Sequence, residues 1–422
     1  MRLPIYLDHA ATTPVDPRVA DQLVRYLTPE GHFGNPASST HAFGRVAARA
    51  VETAREQVAA LLAAHPREIV WTSGATEANN LALRGIMRAH ARRGRHLVTG
   101  RTEHKAVLDV CRWLAKEGCS ITCLDPEPNG LIDLERLAES LRPDTALVSL
   151  MHVNNETGVV QDLAAIGALT RERGIFLHVD AAQSAGKLPI RLDALQVDLL
   201  SLSAHKLYGP KGVGALFVRQ HPKRVRLEPL LYGGGQERGL RAGTLPVHQI
   251  VALGEACRIA GAEMADERER LQRLRERLWS ALAGLGGAAL NGHPERHWPG
   301  ILNVSFAGIA AEALLAAMPD IAVSTGSACA SADDQPSHVL KAMGCDASRA
   351  RGAVRFSLGR FTTAEEIEHT IAAVRGAVSR LRELSPCWGE RRAVPDTVDW
   401  TAPAPIPDDA GATRTHSAPL AR

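Results

Sequence analysis

Aromatic residues are scarce in this chain: six Trp, four Tyr and seven Phe make up 4% of 422 residues, so Leu, Val and Ala must fill most of any core. An excess of one charge is missing too. The 49 basic and 46 acidic residues leave a net +3 and are spread along the sequence, which excludes the concentrated basic face of a nucleic-acid-binding module. The densest basic run, Arg219, Lys223, Arg224 and Arg226, reads as a solvated loop. No apolar run approaches the about 18 residues of a membrane span. The N-terminus has one early Arg without a long apolar stretch behind it, so the expected location is cytoplasmic. The seven cysteines are odd in number and form no Cys-x-x-Cys pair, which favours reduced thiols over a disulfide framework and argues against a structural zinc site. Internal repeats are absent as well.

What is present is an ordinary globular composition, 45% hydrophobic and 23% charged, on a chain long enough for more than one domain. Between residues 53 and 249 helical stretches alternate with short apolar strands, at 68–72, 96–99, 146–151 and 175–179. This alternation predicts an α/β domain with a mostly parallel sheet. A long charged helical tract follows Pro246, and a Gly-rich shift at 284–287 introduces a second, α+β domain with strands at 301–306 and 353–358 and a last helix over 365–384. The expected division is an N-terminal segment, 1–16, packed on the small domain; a large domain, 17–265; a small domain, 266–400; and a tail, 401–422. The tail lacks hydrophobic periodicity and is expected to be disordered.

In an open α/β sheet, ligands gather at the carboxyl ends of the strands, and that is where the polar segments fall. Lys206 sits just past a buried strand, between residues 197 and 212. A partly desolvated lysine there, flanked by Ser203 and His205 as phosphate donors, suits an imine with an aldehyde cofactor. Read alone, it is an ordinary surface lysine. Asp180, at the end of another strand, could hold a protonated pyridine nitrogen, the partner that makes a pyridoxal ring an electron sink, or simply cap the next helix. Ala75 and Thr76, in Ser73-Gly74-Ala75-Thr76-Glu77, open a helix whose free N–H groups suit a phosphate. His104, in Thr102-Glu103-His104-Lys105, follows a strand where an imidazole could stack on a ring and move protons, although a lone His is more often structural.

The most distinctive stretch is Ser324-Thr325-Gly326-Ser327-Ala328-Cys329-Ala330-Ser331-Ala332-Asp333-Asp334-Gln335. Every neighbour of Cys329 is small or polar, which suits a reactive thiolate on a loop better than a buried, inert thiol. The other six cysteines lack such surroundings and read as structural.

Together these segments resemble the cysteine desulfurases of the NifS/IscS type, within the class V aminotransferase superfamily of fold-type I pyridoxal-phosphate enzymes. The likeness runs from Tyr6-Leu7-Asp8-His9-Ala10-Ala11-Thr12-Thr13-Pro14 to Trp400 and includes Gly34-Asn35-Pro36-Ala37-Ser38, Met151-His152-Val153-Asn154-Asn155-Glu156-Thr157-Gly158 and Arg355-Phe356-Ser357-Leu358-Gly359-Arg360. The resemblance implies that Lys206 carries pyridoxal 5'-phosphate as an imine, Asp180 binds the ring nitrogen, and His104 stacks on the ring as acid or base. It implies that Asn155 and Gln183 contact ring substituents, and that Ala75, Thr76, Ser203 and His205 hold the phosphate, joined by Thr244 from the second subunit of a homodimer. Arg355, aided by Asn155, would clamp the substrate carboxylate through its planar fork. Cys329 would take sulfur from L-cysteine as a persulfide, leaving L-alanine.

The long segment from Ser324 to Val339 resembles the subgroup that hands sulfur directly to proteins, chiefly iron–sulfur scaffolds and, in some relatives, tRNA-thiolation relays. No metal is implied in the isolated enzyme, with Cys329 a transient cluster ligand when a scaffold docks. Leu384-Ser385-Pro386-Cys387-Trp388 and Val398-Asp399-Trp400 match the docking segment of relatives only in part. Two alternatives remain at this stage: another class V activity, such as an aminotransferase or selenocysteine lyase, and a non-enzymatic sulfur carrier in which Cys329 ligates iron. Cys329 and its long loop argue against the first. The second has no need of Lys206, Asp180 and His104 on one scaffold.

Overall fold

The alternation of helix and strand folds into one seven-stranded sheet with helices on both faces. The computed structural model describes residues 3–221, 224–325 and 336–384. A short N-terminal strand, β1 (Ile5–Tyr6), precedes the sheet strands β2 (Ile69–Thr72), β3 (His96–Gly100), β4 (Ser120–Leu124), β5 (Thr145–Met151), β6 (Phe176–Asp180), β7 (Leu199–Ser203) and β8 (Gly214–Val218). Their order is β2-β8-β7-β6-β5-β3-β4, and only the pairings of β8 are antiparallel. The inner strands are buried along their whole length, as a parallel sheet covered on both faces requires. His178 lies within this apolar layer because the Ser149 and Ser201 hydroxyls, on the strands either side, meet its two ring nitrogens at 2.8 and 2.9 Å.

One face is covered by α3 (Ala75–Ala89) and α4 (Lys105–Lys116), the other by α2 (Ala42–Leu61), α5 (Leu134–Ser140), α6 (Leu163–Glu172) and the first part of α7 (Val247–Ala283). A short α1 (Pro17–Val24), capped by Asp16, packs against α7. Helix α7 runs unbroken across the boundary expected at residues 265 and 266, and its buried residues change sides there. Up to Ile259 they join the large-sheet core; from Leu271 they join a second core.

That second core holds the antiparallel sheet β9 (Ala288–Leu290), β10 (Ile301–Phe306) and β12 (Ala353–Ser357), with β11 (Ile321–Ala322) pairing β1. Its helices are α8 (Ala311–Ala316), α9 (His338–Ala342), α10 (Ala347–Arg351) and α11 (Ala364–Glu383), the last started by a Thr363–Glu366 capping box. The N-terminal segment belongs to both halves. Ile5, Leu7 and Ala10 pack in the second core, while Thr13 bonds the backbone of His205 and Tyr208 in the large domain. Cys329, Cys387 and the tail from 401 lie outside the described residues.

Candidate active site

Because β2, β3, β5, β6 and β7 run in one direction, their carboxyl ends deliver five successive loops to one edge of the sheet. A cavity of about 1210 Å³ opens there. Ala75, Thr76, His104, Asn155, Asp180, Gln183, Ser203, His205 and Lys206 all line it, and Arg355 reaches it from β12 of the small domain. Thr244 does not line it; it is exposed on the segment before α7. Cys329 is outside the described residues, although Pro336, beyond that segment, lines the cavity.

The α3 end of the cavity suits an anion. Gly74, at φ +149°, is the N-cap and offers no side-chain acceptor to the first turn, so the dipole of a 15-residue helix ends on N–H groups beside Ala75 and Thr76. The close approach depends on glycine in β8 as well: a Cβ on Gly214 would sit 2.4 Å from Leu202 O and 2.7 Å from Gly74 Cα. Glu77 steadies the turn, accepting from Ser73 N–H at 2.8 Å and from Arg241 Nε at 2.9 Å. His205 contacts Thr12 Oγ1 at 3.1 Å, and burial, with Lys206 and Lys211 nearby, pulls its pKa down to about 4, so the ring is neutral.

Lys206 ends a tight turn, Ala204–Lys206, and its Nζ donates to Ala10 O at 2.6 Å and Ala11 O at 2.7 Å. Across the cavity, Asp180 Oδ2 accepts from Asn79 Nδ2 at 2.8 Å and Oδ1 from Ala182 N–H at 2.9 Å. Among the described residues no helix follows β6 before β7, so this carboxylate caps a turn and not the helix the sequence suggested, and each oxygen keeps a second lone pair for a further partner. His104 caps α4 by accepting Ala106 N–H on Nδ1 at 3.1 Å, which leaves the ring hydrogen on Nε2 in the neutral form. Its neighbour Glu103 accepts Met151 N–H at 2.8 Å, and burial holds that carboxyl well above the usual range.

Arg355 is 2% exposed; Nη1 donates to Asn155 O and Nη2 to Asp8 Oδ1, both at 2.8 Å, while Nε has no partner among the described residues. A guanidinium fork at the wall of a cavity has the geometry to pair with a carboxylate. Beside it, burial raises Glu156 to about 7.

Three residues of the site had no distinct signal in the sequence. Asn79 holds Asp180, Asp8 holds Arg355, and Lys187 donates to Gln183 Oε1 at 2.9 Å. Asn79 lies one helical turn after the Ala75-Thr76 pair, on the same face, and that spacing was the available clue. The donor set fits pyridoxal phosphate part by part: a helix terminus and hydroxyl for the phosphate, a carboxylate for the ring nitrogen, an amine for the aldehyde, and a guanidinium for an amino-acid carboxylate.

Residues 5–370 match the family described as Aminotransferase class-V. The chain is 57% identical over 402 residues to a cysteine desulfurase IscS of Aeromonas salmonicida, covering 95% of this chain and 99% of that one. It is 58% identical over 388 residues to a cysteine desulfurase IscS of Escherichia coli O139:H28, covering 92% and 96%. Among solved structures, a NifS-like protein superposes with a TM-score of 0.83 at 37% identity, over 90% of this chain and 100% of its own.

Proposed function

The chain belongs to the class-V aminotransferase family, in its cysteine desulfurase branch, and from that premise we propose that it moves sulfur from L-cysteine to Cys329 and on to acceptor proteins. The observation that carries the reading is the convergence of Lys206, Asp180, His104 and Arg355 on one cavity from separate elements of two domains. Pyridoxal 5'-phosphate, bound there, supplies an electron sink for the Cα and Cβ chemistry of the amino acid.

The protein's own part follows from its side chains. Arg355, with Asn155 behind it, orients the substrate by its carboxylate, and Asp8 keeps the guanidinium aimed. Lys206, held at Nζ by the Ala10 and Ala11 carbonyls, would hold the cofactor by its aldehyde. Asp180, kept in place by Asn79, would keep the ring nitrogen protonated. His104 would lie against the ring, with Nδ1 committed to the helix cap and proton transfer left to Nε2. Cys329 thiolate bonds to the substrate sulfur as the Cβ–S bond breaks; the electron pair stays with carbon, protonation yields L-alanine, and the enzyme keeps a persulfide.

Thr244, exposed in its own chain, completes the phosphate site of a second subunit in a homodimer. The persulfide passes chiefly to an iron–sulfur scaffold, with a tRNA-thiolation relay as a further outlet, in the cytoplasm. The test of this reading is optical. Purified protein should be yellow, and Lys206→Ala should lose the band even with added cofactor; a colourless wild type after reconstitution overturns it.

A further inference from the structure

Lys187 has no task in the chemistry above. It is buried, 9% exposed, and forms no ion pair among the described residues. The charged groups that face it are Lys206 and Arg355, of its own sign, and Glu267 of α7, whose carboxylate is taken by Arg360 Nε at 3.0 Å. His9 and His205 also feel its charge, and both are held neutral by burial. A lysine so placed costs stability, because a buried ammonium without a counter-ion is poorly solvated.

What it does make is one directed contact, Nζ to Gln183 Oε1 at 2.9 Å. With Nζ as the donor, the amide turns its oxygen to Lys187 and its NH₂ the other way. That NH₂ donates to Ala10 O at 2.8 Å, the same carbonyl that accepts Lys206 Nζ at 2.6 Å. Three groups thus run in series from Lys187 through Gln183 to the carbonyl beside Lys206. Without Lys187, the orientation of the amide would rest on its bond to Ala10 O alone, with Oε1 left without a donor.

We propose that Lys187 is a positioning residue, which locks the Gln183 amide with its NH₂ towards the cavity and so fixes the hydrogen bond given to the cofactor edge beside Lys206. This rests on the reading of Lys206 and Gln183 as cofactor contacts. The test is Lys187→Met in reconstituted protein, followed by the pH titration of the visible band and by cofactor affinity. The titration midpoint should move by on the order of one pH unit. The dissociation constant should rise roughly two- to tenfold, the worth of one hydrogen bond. Gln183→Leu should do the same, and the double variant should add little to either single one.

The thermal midpoint should stay level or rise, since an apolar chain replaces an unpaired ammonium. A lysine with a merely structural role gives the reverse, a lowered midpoint with an unmoved band, and that result overturns the proposal, as does full additivity in the double variant. Should Lys187→Met not fold, Lys187→Gln, whose amide both donates and accepts and so loses the lock, carries the same expectation. A colourless wild type would instead defeat the cofactor reading itself, so the two failures are distinct.

Discussion

Burial, more than neighbouring charge, sets the ionisation of several side chains under this cavity. His178 is the clearest instance: it is fully enclosed, bonded to two hydroxyls, and its pKa is pulled from the usual 6.5 to about 3. As pH falls below 6.5 the unfolded chain takes a proton that the folded chain refuses, so stability declines from there down to about 3. One such group contributes a slope of about 1.4 kcal/mol per pH unit. His152, pulled to about 4 by burial alone, adds to it over a narrower range. Urea midpoints should therefore fall between pH 7 and pH 5. His178→Gln, which cannot charge, should reduce that fall by about 2 kcal/mol whatever it does to stability at pH 7; an unchanged fall would place the acid sensitivity elsewhere. Of the single residues, Lys206, Asp180 and His104 were legible because each follows an apolar strand in a polar segment. Asn79, Asp8 and Lys187 were not, because their significance lies in burial and in one contact each, which only the fold supplies.

Among the elements, β2 is an edge strand, and its outer side is closed by side chains instead of another strand. Arg55 of α2 donates to Ile69 O at 2.9 Å and grips both oxygens of Glu237 at 2.8 Å; Glu237 in turn accepts Trp71 N–H at 2.9 Å. Glu237 and Arg238 adopt positive φ, 48° and 59°, to make this fit. Arg55→Met should destabilise the protein by about 3–5 kcal/mol, because it leaves the Glu237 carboxylate buried and unpaired. Chemical denaturation checks this, and a loss below about 1 kcal/mol, the worth of a surface pair, would contradict it. The strands that apolar runs predict lie within a residue or two of those runs, as with 301–306 and Ile301–Phe306, while β4, β8 and β9 had no predicted counterpart. The segment around Glu237 gave no such signal, since its conformation is imposed by Arg55, 182 residues away in sequence.

At the scale of the whole molecule, the site exists because two cores are joined around it. The N-terminal segment pairs β11 through β1, bonds Ser357 from His9, and supplies the Ala10 and Ala11 carbonyls that hold Lys206. Its Ile5, Leu7 and Ala10 pack in the second core. That it also anchors Lys206 is a tertiary fact that no local pattern encodes. The proposed chemistry is divided in the same way: Lys206 follows a strand of the large sheet, Arg355 lies on β12 of the second, and Cys329 is the proposed sulfur acceptor. The most direct test of that division is alanine release from L-cysteine by Cys329→Ser. The account predicts a protein that keeps its yellow band and releases no alanine beyond background, while wild type releases alanine and accumulates one persulfide. Undiminished alanine turnover in the Cys329→Ser protein would contradict it.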